Sequence, residues 1–391
     1  MWSQLLTLVE STVIVSRDVG LEIPITAPKL DNVVDAYRAA HRRRNTLPFT
    51  GEHPVRDTVL AAPLSSFGND YGYTVSVKFG SQGTQSFPLL IDTGSSTVWV
   101  FDAAVRSDQG GKLRYHANSA AKLVSGMKWE SGYSDGGLAK GNKHEDTMRI
   151  GNYQVKLNLP VAQHATGFAA MSCSGIIGLG LDNRNWVLPS TAFAIDLKPD
   201  PKAHPDAGGS IQFGGSFAKY GALTWVPLDK QSRAWFVPIL AYRIGVSGQI
   251  KYHQRSAEAT GSGQAMPNQR QHCALLDSGT TFTMLDDATL TALMSSIPGS
   301  SFDKAAGLWV VPCVPRAGAP DALWFLIGGT WFSLPYRPGG LLWWDLGNGK
   351  CSAAVQSRGT NECDILGAFF MHSTYAVFDE GNKRIGLAKK I

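Results

Sequence analysis

The sequence predicts an all-β protein of two similar β-rich lobes with a central cleft and few short helices. Forty-two glycines, twenty prolines and many short runs of Val, Ile, Leu, Phe and Trp are typical of strands joined by turns. One short acid motif occurs twice, at Leu90–Ser96 and Leu275–Thr281, so that Asp92 and Asp277 lie 185 positions apart. This spacing is about one domain length, and it predicts that each half contributes one carboxyl group to a shared site.

A second repeated pattern supports a duplication within the chain. An apolar pair followed by glycine, at Ile176–Gly178 and Ile365–Gly367, trails the two acids by 86 and 90 positions. Nearly equal offsets are typical of an internal repeat. A glycine after buried apolar residues suits close backbone packing, and we expect it beneath each acid-bearing loop.

The remaining elements follow from local pattern. Alternating or apolar runs predict strands, a Pro/Asp/Gly-rich stretch predicts a surface loop, and a polar Gly/Ser/Gln-rich stretch predicts an exposed excursion. In chain order these are a helix at 31–44, strands at 73–79, 87–91 and 97–101, a loop at 198–209, strands bridging the lobes within 211–240, an excursion at 254–270 and a short helix at 288–295.

Composition excludes several classes of partner. No apolar stretch reaches the roughly 18–20 residues that a membrane span requires, so no membrane association is expected. The net charge of +5 is mild, and its densest cluster, His41–Arg44, is too short and too poor in aromatic neighbours to indicate nucleic-acid binding. That cluster is either a solvated charge run or part of a basic prosegment.

The five cysteines leave at least one without a partner in the chain. Cys313 and Cys351 would close a loop of ordinary size, with Cys363 as a competing partner for Cys351. Cys173 and Cys273 lie beside apolar strand-like residues, which favours buried thiols. No cysteine spacing resembles a zinc site, and no metal is expected.

Two carboxyl groups in one pocket cannot both ionise cheaply, so one retains a proton while the other acts as a base. Asp92 and Asp277 are therefore predicted to perform acid–base chemistry on a water molecule. Gly94 and Gly279 permit a tight turn close to a substrate. The remaining motif residues supply hydroxyl groups that can bond to the adjacent carboxylate or across to the opposite loop, namely Thr93, Ser95, Ser278 and Thr280.

These motifs resemble those of the pepsin-like aspartic protease family, in a form closest to fungal members, over residues 70 to 391. Asp92–Ser96 with Trp99 resembles the first active-site strand and its supporting tryptophan, and Asp277–Thr281 resembles the second. The stretch 129–137 resembles the flap hairpin that covers bound substrate, which places Tyr133, Ser134 and Asp135 against the substrate.

The resemblance implies an aspartic endopeptidase that binds a peptide or protein between the lobes. It implies binding of pepstatin-like inhibitors, a monomer, and no cofactor. It also implies a disulfide between Cys313 and Cys351, a propeptide at residues 1–65, an N-terminal lobe with inter-lobe strands at 66–240 and a C-terminal lobe at 241–391. Family members are secreted or vacuolar, although this sequence shows neither a clear signal peptide nor an Asn-x-Ser/Thr acceptor.

Some positions depart from the family pattern. Ser134 replaces the usual glycine after the flap tyrosine, Ala368 replaces the usual aspartate, and Cys173, Cys273 and Cys363 are additional. With the basic charge balance and the weak export signal, these departures leave an alternative function open, in which the same acid pair acts on a small-molecule biosynthetic intermediate.

Overall fold

The structure of the protein is a computed structural model that describes residues 59–390 except 69, 81–84, 106–110, 112, 118–120, 134–135, 169–170, 182–183, 201, 203, 229–231, 247–248 and 254–272. These described residues form 26 strands and two short helices. The predicted helix at 31–44 and the predicted excursion at 254–270 lie outside them. The mostly-β prediction is confirmed.

Thirteen of these described strands form one large sheet, which contains the first eleven and the last two of them. They are β1 (Leu60–Phe67), β2 (Gly72–Phe79), β3 (Gln85–Asp92), β4 (Trp99–Phe101), β5 (Lys122–Gly132), β6 (Leu138–Ile150), β7 (Tyr153–Thr166), β8 (Gly175–Gly178), β9 (Ala192–Leu197), β10 (Gly209–Phe213), β11 (Thr224–Pro227), β25 (Thr374–Asp379) and β26 (Arg384–Lys389).

The other strands belong to the second half and form three smaller sheets. The first contains β12 (Phe236–Pro238), β15 (Cys273–Leu276), β16 (Thr283–Leu285), β23 (Val355–Ser357) and β24 (Asp364–Leu366). The second contains β13 (Ala241–Val246), β14 (Gln249–His253), β19 (Ala322–Ile327) and β20 (Thr330–Pro335). The third contains β17 (Ser301–Asp303), β18 (Leu308–Pro312), β21 (Leu342–Gly347) and β22 (Lys350–Ala353).

The helices are α1 (Asp287–Ser295) and α2 (Ala368–Ser373). The carboxylate of Asp286 caps α1 by accepting from the backbone N–H groups of Ala288 and Thr289, as expected of an acid at the N-cap. Helix α1 matches the helix predicted from the sequence. None of the helices among the described residues is long and apolar enough to cross a membrane.

The large sheet connects the two halves of the chain. The order β11-β26-β25-β9-β10-β1 places strands from both ends of the chain side by side, and β25 pairs antiparallel with β9. Aromatic packing reinforces this join, since Phe193 stacks on Phe378 with ring centroids 4.9 Å apart and Trp235 packs edge-on against Phe378. Because this sheet runs continuously through both halves, the limits 66–240 and 241–391 stay predictions.

The disulfides correct one sequence-based prediction. Cys273 is bonded to Cys363 and is not a free thiol, whereas Cys313 is bonded to Cys351 as the family resemblance implied. Cys173 is a buried free thiol, as predicted. The sequence could not show the Cys273–Cys363 pairing, because it arises from the parallel contact of β15 with β24, whose residues lie about 90 positions apart.

Candidate active site

Each predicted acid lies at the C-terminal end of a strand that pairs with a parallel neighbour. Asp92 is the last residue of β3 and lies opposite Gly178 of β8. Asp277 directly follows β15, and its N–H donates to the carbonyl of Leu366 on β24 at 3.1 Å. The duplicated pattern in the sequence therefore corresponds to a duplicated structural unit.

The glycines that trail the acids make close contact with the acid-bearing loops. A Cβ atom on Gly178 would collide with the backbone of Ser96 and Thr97, and one on Gly367 would lie 2.5 Å from the carbonyl oxygen of Thr280. Real Cβ atoms do not approach other atoms this closely, so both positions require glycine. The predicted packing beneath the loops is confirmed.

The Asp92 carboxyl group is held by two donors from its own loop. The N–H of Gly94 donates to Oδ1 at 2.9 Å, and the hydroxyl of Ser95 donates to Oδ2. Only 6% of Asp92 is exposed to solvent. Donors of this kind fix the orientation of a carboxyl group that would otherwise rotate toward water.

Asp277 has the same arrangement in the second half. The N–H of Gly279 donates to Oδ1 at 2.9 Å, and the hydroxyl of Thr280 donates to Oδ2 at 2.7 Å. Asp277 is 8% exposed. The two motifs thus form near-identical local structures, although serine and threonine are exchanged between them at each hydroxyl position.

The two carboxyl groups face each other across the glycines of the opposite loops. A Cβ on Gly94 would lie 2.6 Å from Oδ2 of Asp277, and a Cβ on Gly279 would lie 2.5 Å from Oδ1 of Asp92. Any side chain at either glycine would occupy the space of the opposite carboxyl group. The structure therefore brings together the two acids that the sequence predicted to share a site.

A reciprocal exchange of hydroxyl groups joins the loops below the carboxyl groups. The N–H of Thr93 donates to Oγ of Ser278 at 3.1 Å, and the N–H of Ser278 donates to Oγ1 of Thr93 at 2.9 Å. Each hydroxyl then donates to the opposite strand, Thr93 to the carbonyl of Leu276 at 2.7 Å and Ser278 to that of Ile91 at 2.9 Å. All four bonds connect the two halves, so they fix the distance between the loops.

Burial and mutual charge alter the acidity of the pair. The pKa of Asp92 is raised well above its usual range, first because burial disfavours the charged carboxylate and second because Asp277 lies beside it. The donors Ser95 and Gly94 act in the opposite direction without reversing the rise. A carboxyl group of this kind retains a proton at a pH where ordinary carboxyl groups have lost theirs.

Tyr133 lies at the end of the hairpin formed by β5 and β6. Its N–H donates to the carbonyl of Gly137 at 2.8 Å, and its carbonyl accepts from Gly136 at 3.0 Å, which closes the turn. The indole N–H of Trp99 donates to the Tyr133 hydroxyl at 2.6 Å. Ser134 and Asp135, predicted as neighbours of the substrate, lie outside the described residues.

Trp99 is fully buried in an aromatic cluster that supports this hairpin. Its ring centroid lies 4.9 Å from that of Phe101, 5.3 Å from Phe168 and 5.8 Å from Trp129. Tyr133 packs edge-on against Phe168 at 5.5 Å. Trp99 therefore supports Tyr133 from below through both packing and a hydrogen bond.

One contact between the halves at this site was not predicted from the sequence. The hydroxyl of Thr281 donates to the carbonyl of Tyr71 at 2.6 Å, in a buried position. The hydroxyl residue at the end of each acid motif was visible in the sequence. Its partner, the carbonyl of Tyr71 directly before β2, was not. Trp343 likewise packs edge-on against Phe282 with centroids 5.0 Å apart, and no pattern pointed to it.

A group of side chains elsewhere has the composition of a metal site. Among the described residues, Cys313, Asp345 and Cys351 place their ligand atoms within 4.8 Å of one another. The two sulfur atoms are joined in a disulfide, so they are not thiolates that could bind a cation.

Comparison with known proteins gives a consistent picture. A family model described as "Eukaryotic aspartyl protease" matches residues 72–390. The chain is 28% identical over 337 residues to penicillopepsin-1 of Penicillium rubens, covering 82% of this chain and 78% of the relative. It is 29% identical over 354 residues to aspergillopepsin-1 of Aspergillus flavus, covering 85% and 79%.

The fold is also shared with a solved structure. The crystal structure of the aspartic proteinase from Irpex lacteus superposes with a TM-score of 0.63 at 22% identity, covering 85% of this chain and 98% of that one. At this identity the likeness establishes the fold, and the two-lobed prediction is confirmed.

Proposed function

Because the chain belongs to the eukaryotic aspartyl protease family, we propose that it is an endopeptidase in which Asp92 and Asp277 activate a water molecule. The observation that carries this proposal is the crossed arrangement of the two carboxyl groups, each directed over the glycine of the opposite loop. A water molecule held between them would contact both groups at once.

The chemistry follows from the different roles of the two acids. Burial and the neighbouring charge favour a single proton shared by the pair, so one carboxyl group is protonated while the other is the base. The ionised carboxylate takes a proton from the water as the water oxygen bonds to the peptide carbonyl carbon, and the protonated acid gives its proton to the carbonyl oxygen. When the resulting diol intermediate collapses, the carboxyl group that took the water proton gives it to the amine nitrogen, the C–N bond breaks, and a hydroxyl group of the intermediate returns a proton to the other carboxylate.

The hairpin of β5 and β6 suits an extended peptide. Strand β5 is the terminal strand of the large sheet, and a peptide can bind beside a hairpin through main-chain hydrogen bonds while its side chains enter pockets. Tyr133 at the turn would then cover the peptide, held in place by Trp99.

The direct test is digestion of a denatured protein at about pH 4, where carboxyl groups titrate, with and without a pepstatin-like inhibitor. We expect cleavage that the inhibitor abolishes. If the folded protein leaves the denatured substrate intact, endopeptidase activity is excluded and the small-molecule alternative becomes the better hypothesis.

We also propose that the segment 1–65 contains a propeptide that is removed in acid, with cleavage before β1, because Leu60–Phe67 pairs with β10 and β2 in the large sheet. Arg42, Arg43, Arg44 or Arg56 could pair with the carboxylates at neutral pH, and protonation of those carboxylates would weaken the pairing. Incubation at about pH 4 followed by N-terminal sequencing is expected to show a new N-terminus. Immediate activity with an unchanged N-terminus would contradict this proposal.

A secreted or vacuolar location is supported by the covalent structure. The two disulfides require an oxidising compartment, since thiols in the cytosol are kept reduced. Detection of the protein in culture medium or in purified vacuoles would test this proposal, and an exclusively cytosolic protein with free thiols would contradict it.

A further inference from the structure

The Cys273–Cys363 disulfide joins the two parallel strands that hold Asp277. Cys273 is the first residue of β15, and Asp277 follows the last residue of that strand. Cys363 directly precedes β24, which pairs with β15 from Ala274↔Asp364 to Leu276↔Leu366. The disulfide therefore closes the end of this strand pair that lies four residues from the acid.

Strand β15 is short for the task of positioning an acid. It has only four residues. At its end, the N–H of Leu276 donates to the carbonyl of Trp235, and the N–H of Asp277 donates to the carbonyl of Leu366. Hydrogen bonds at the ends of short strands open readily, because few neighbours must move with them. The three-residue strand β12 pairs with β15 on its other side, so the position of Asp277 depends on how firmly β15 is held between β12 and β24.

The other strand of the pair is fixed to the body of the second half. Asp364, next to Cys363, is fully buried, accepts from the N–H of Asp286 at 3.0 Å and accepts from the hydroxyl of Tyr242. Arg358 lies 3.4 Å from the same carboxylate. The disulfide therefore connects β15 to an anchored partner.

The first half achieves the same result without a covalent bond. Strand β3 has eight residues and pairs with β2 from Thr74↔Leu90 to Phe79↔Gln85. At the positions equivalent to the two cysteines, four residues before Asp92 and Gly178, Pro88 and Ser174 are joined by a backbone hydrogen bond of 2.8 Å.

We propose that the Cys273–Cys363 disulfide is a positioning group for Asp277, which holds the short strand β15 in the register that directs the carboxyl group over Gly94. This inference rests on the proposed function. It assigns a catalytic consequence to one disulfide and none to the other, because Cys313–Cys351 joins β18 to β22, strands of a different sheet.

The test compares two double variants of the full chain, C273S/C363S and the matched control C313S/C351S. For C273S/C363S we expect kcat to fall about tenfold to a hundredfold, as misplaced reacting groups do, with KM changed less than about twofold. The pH profile of kcat/KM should shift as well, because the coupling of the two acids depends on their separation. The control should keep the wild-type kcat and pH profile. Wild-type kcat and pH profile in folded C273S/C363S would overturn the proposal.

Graded reduction of the wild-type protein provides a second test if C273S/C363S does not fold. Dithiothreitol is added in steps, and the freed thiols are labelled and located by mass spectrometry. We expect activity to fall in proportion to labelling of Cys273 and Cys363 while the near-UV circular dichroism persists. Activity that follows labelling of Cys313 and Cys351, or that falls only as circular dichroism is lost, would contradict the proposal.

Hydrogen exchange separates this proposal from the proposed function. Without the disulfide, the amides of Leu276 and Asp277 should exchange at least about tenfold faster, because local opening becomes easier. The amides of Ile91 and Asp92 should not change. Equal exchange of Leu276 and Asp277 in the two forms would overturn the positioning role even if the protein had no peptidase activity.

Discussion

The two acid-bearing strands reach the same geometry by different means. Strand β3 is long and pairs with β2 and β8 without a disulfide joining it to either neighbour. Strand β15 is half as long, and a disulfide closes it onto β24 four residues before Asp277. The loops that follow are nearly identical in their hydrogen bonds. The duplicated unit is therefore the same at the carboxyl groups, while the strands that support them differ in length and in covalent bonding.

The largest expected effect tests whether both acids are required at the chemical step. Asp92→Asn and Asp277→Asn should each lower kcat/KM by about a thousandfold or more, since each removes one partner of a general acid–base pair. The measurement is cleavage of a fluorogenic peptide in acid. Asp345→Asn, which changes an exposed acid in the second half, is the matched control and should leave kcat/KM unchanged. Full activity in either active-site variant would refute the shared site.

The second effect concerns the hydroxyl exchange that joins the loops. Thr93→Ala and Ser278→Ala should each lower the free energy of unfolding by about 1–3 kcal/mol, because each leaves a buried carbonyl and a buried N–H without a partner. The two costs should be similar, and the double variant should lose less than their sum. Urea denaturation measures all three.

An exposed hydroxyl pair gives the control for that series. Ser76 and Ser86 bond to each other at 2.8 Å on the surface, so Ser76→Ala should change the free energy of unfolding by less than about 0.5 kcal/mol. Strictly additive losses at Thr93 and Ser278 would show that the two loops are not coupled.

The third effect is the pH dependence of stability at Asp92. Its pKa is raised in the folded state, so the folded protein binds the proton more tightly than the unfolded chain does. Stability is therefore lost as pH rises from the ordinary carboxyl range through the raised pKa, by about 1.4 kcal/mol for each unit of the rise. The variant Asp92→Asn has no carboxyl group to ionise at this buried position, so it avoids this loss of stability. It should be more stable than the wild-type protein at neutral pH, and this advantage should disappear at low pH. An advantage that grows as pH falls would contradict the assignment.

The smallest expected effect is the difference between the two disulfides in their contribution to the free energy of unfolding. Cys273–Cys363 spans 90 residues and Cys313–Cys351 spans 38. In the chain-entropy account the longer loop stabilises more, by about 0.8 kcal/mol. C273S/C363S should therefore lose slightly more free energy of unfolding than C313S/C351S. A larger loss in C313S/C351S would show that native contacts near β22 outweigh loop length.

Much of the site could be predicted from the sequence because its signals are local. The acid, glycine and hydroxyl residues lie within single short motifs, and their spacing showed the duplication. The hydroxyl exchange between Thr93 and Ser278 was predicted on the same basis, and the structure contains it.

The remainder depends on contacts that only the fold creates. The bond from Thr281 to Tyr71 joins residues about 210 positions apart. Likewise, Cys273 looks like a buried thiol from its apolar neighbours, and only the parallel pairing of β15 with β24 reveals its partner. Local sequence patterns do not identify partners that lie so far apart in the chain.

The most direct test of the shared carboxyl pair is the pH dependence of kcat/KM for the wild-type protein. Two coupled acids that share one proton should give a bell-shaped profile with a maximum in the acid range, and its two limbs should report apparent pKa values that belong to the pair. A profile with a single limb, or one that stays flat through the range where carboxyl groups titrate, would contradict the account.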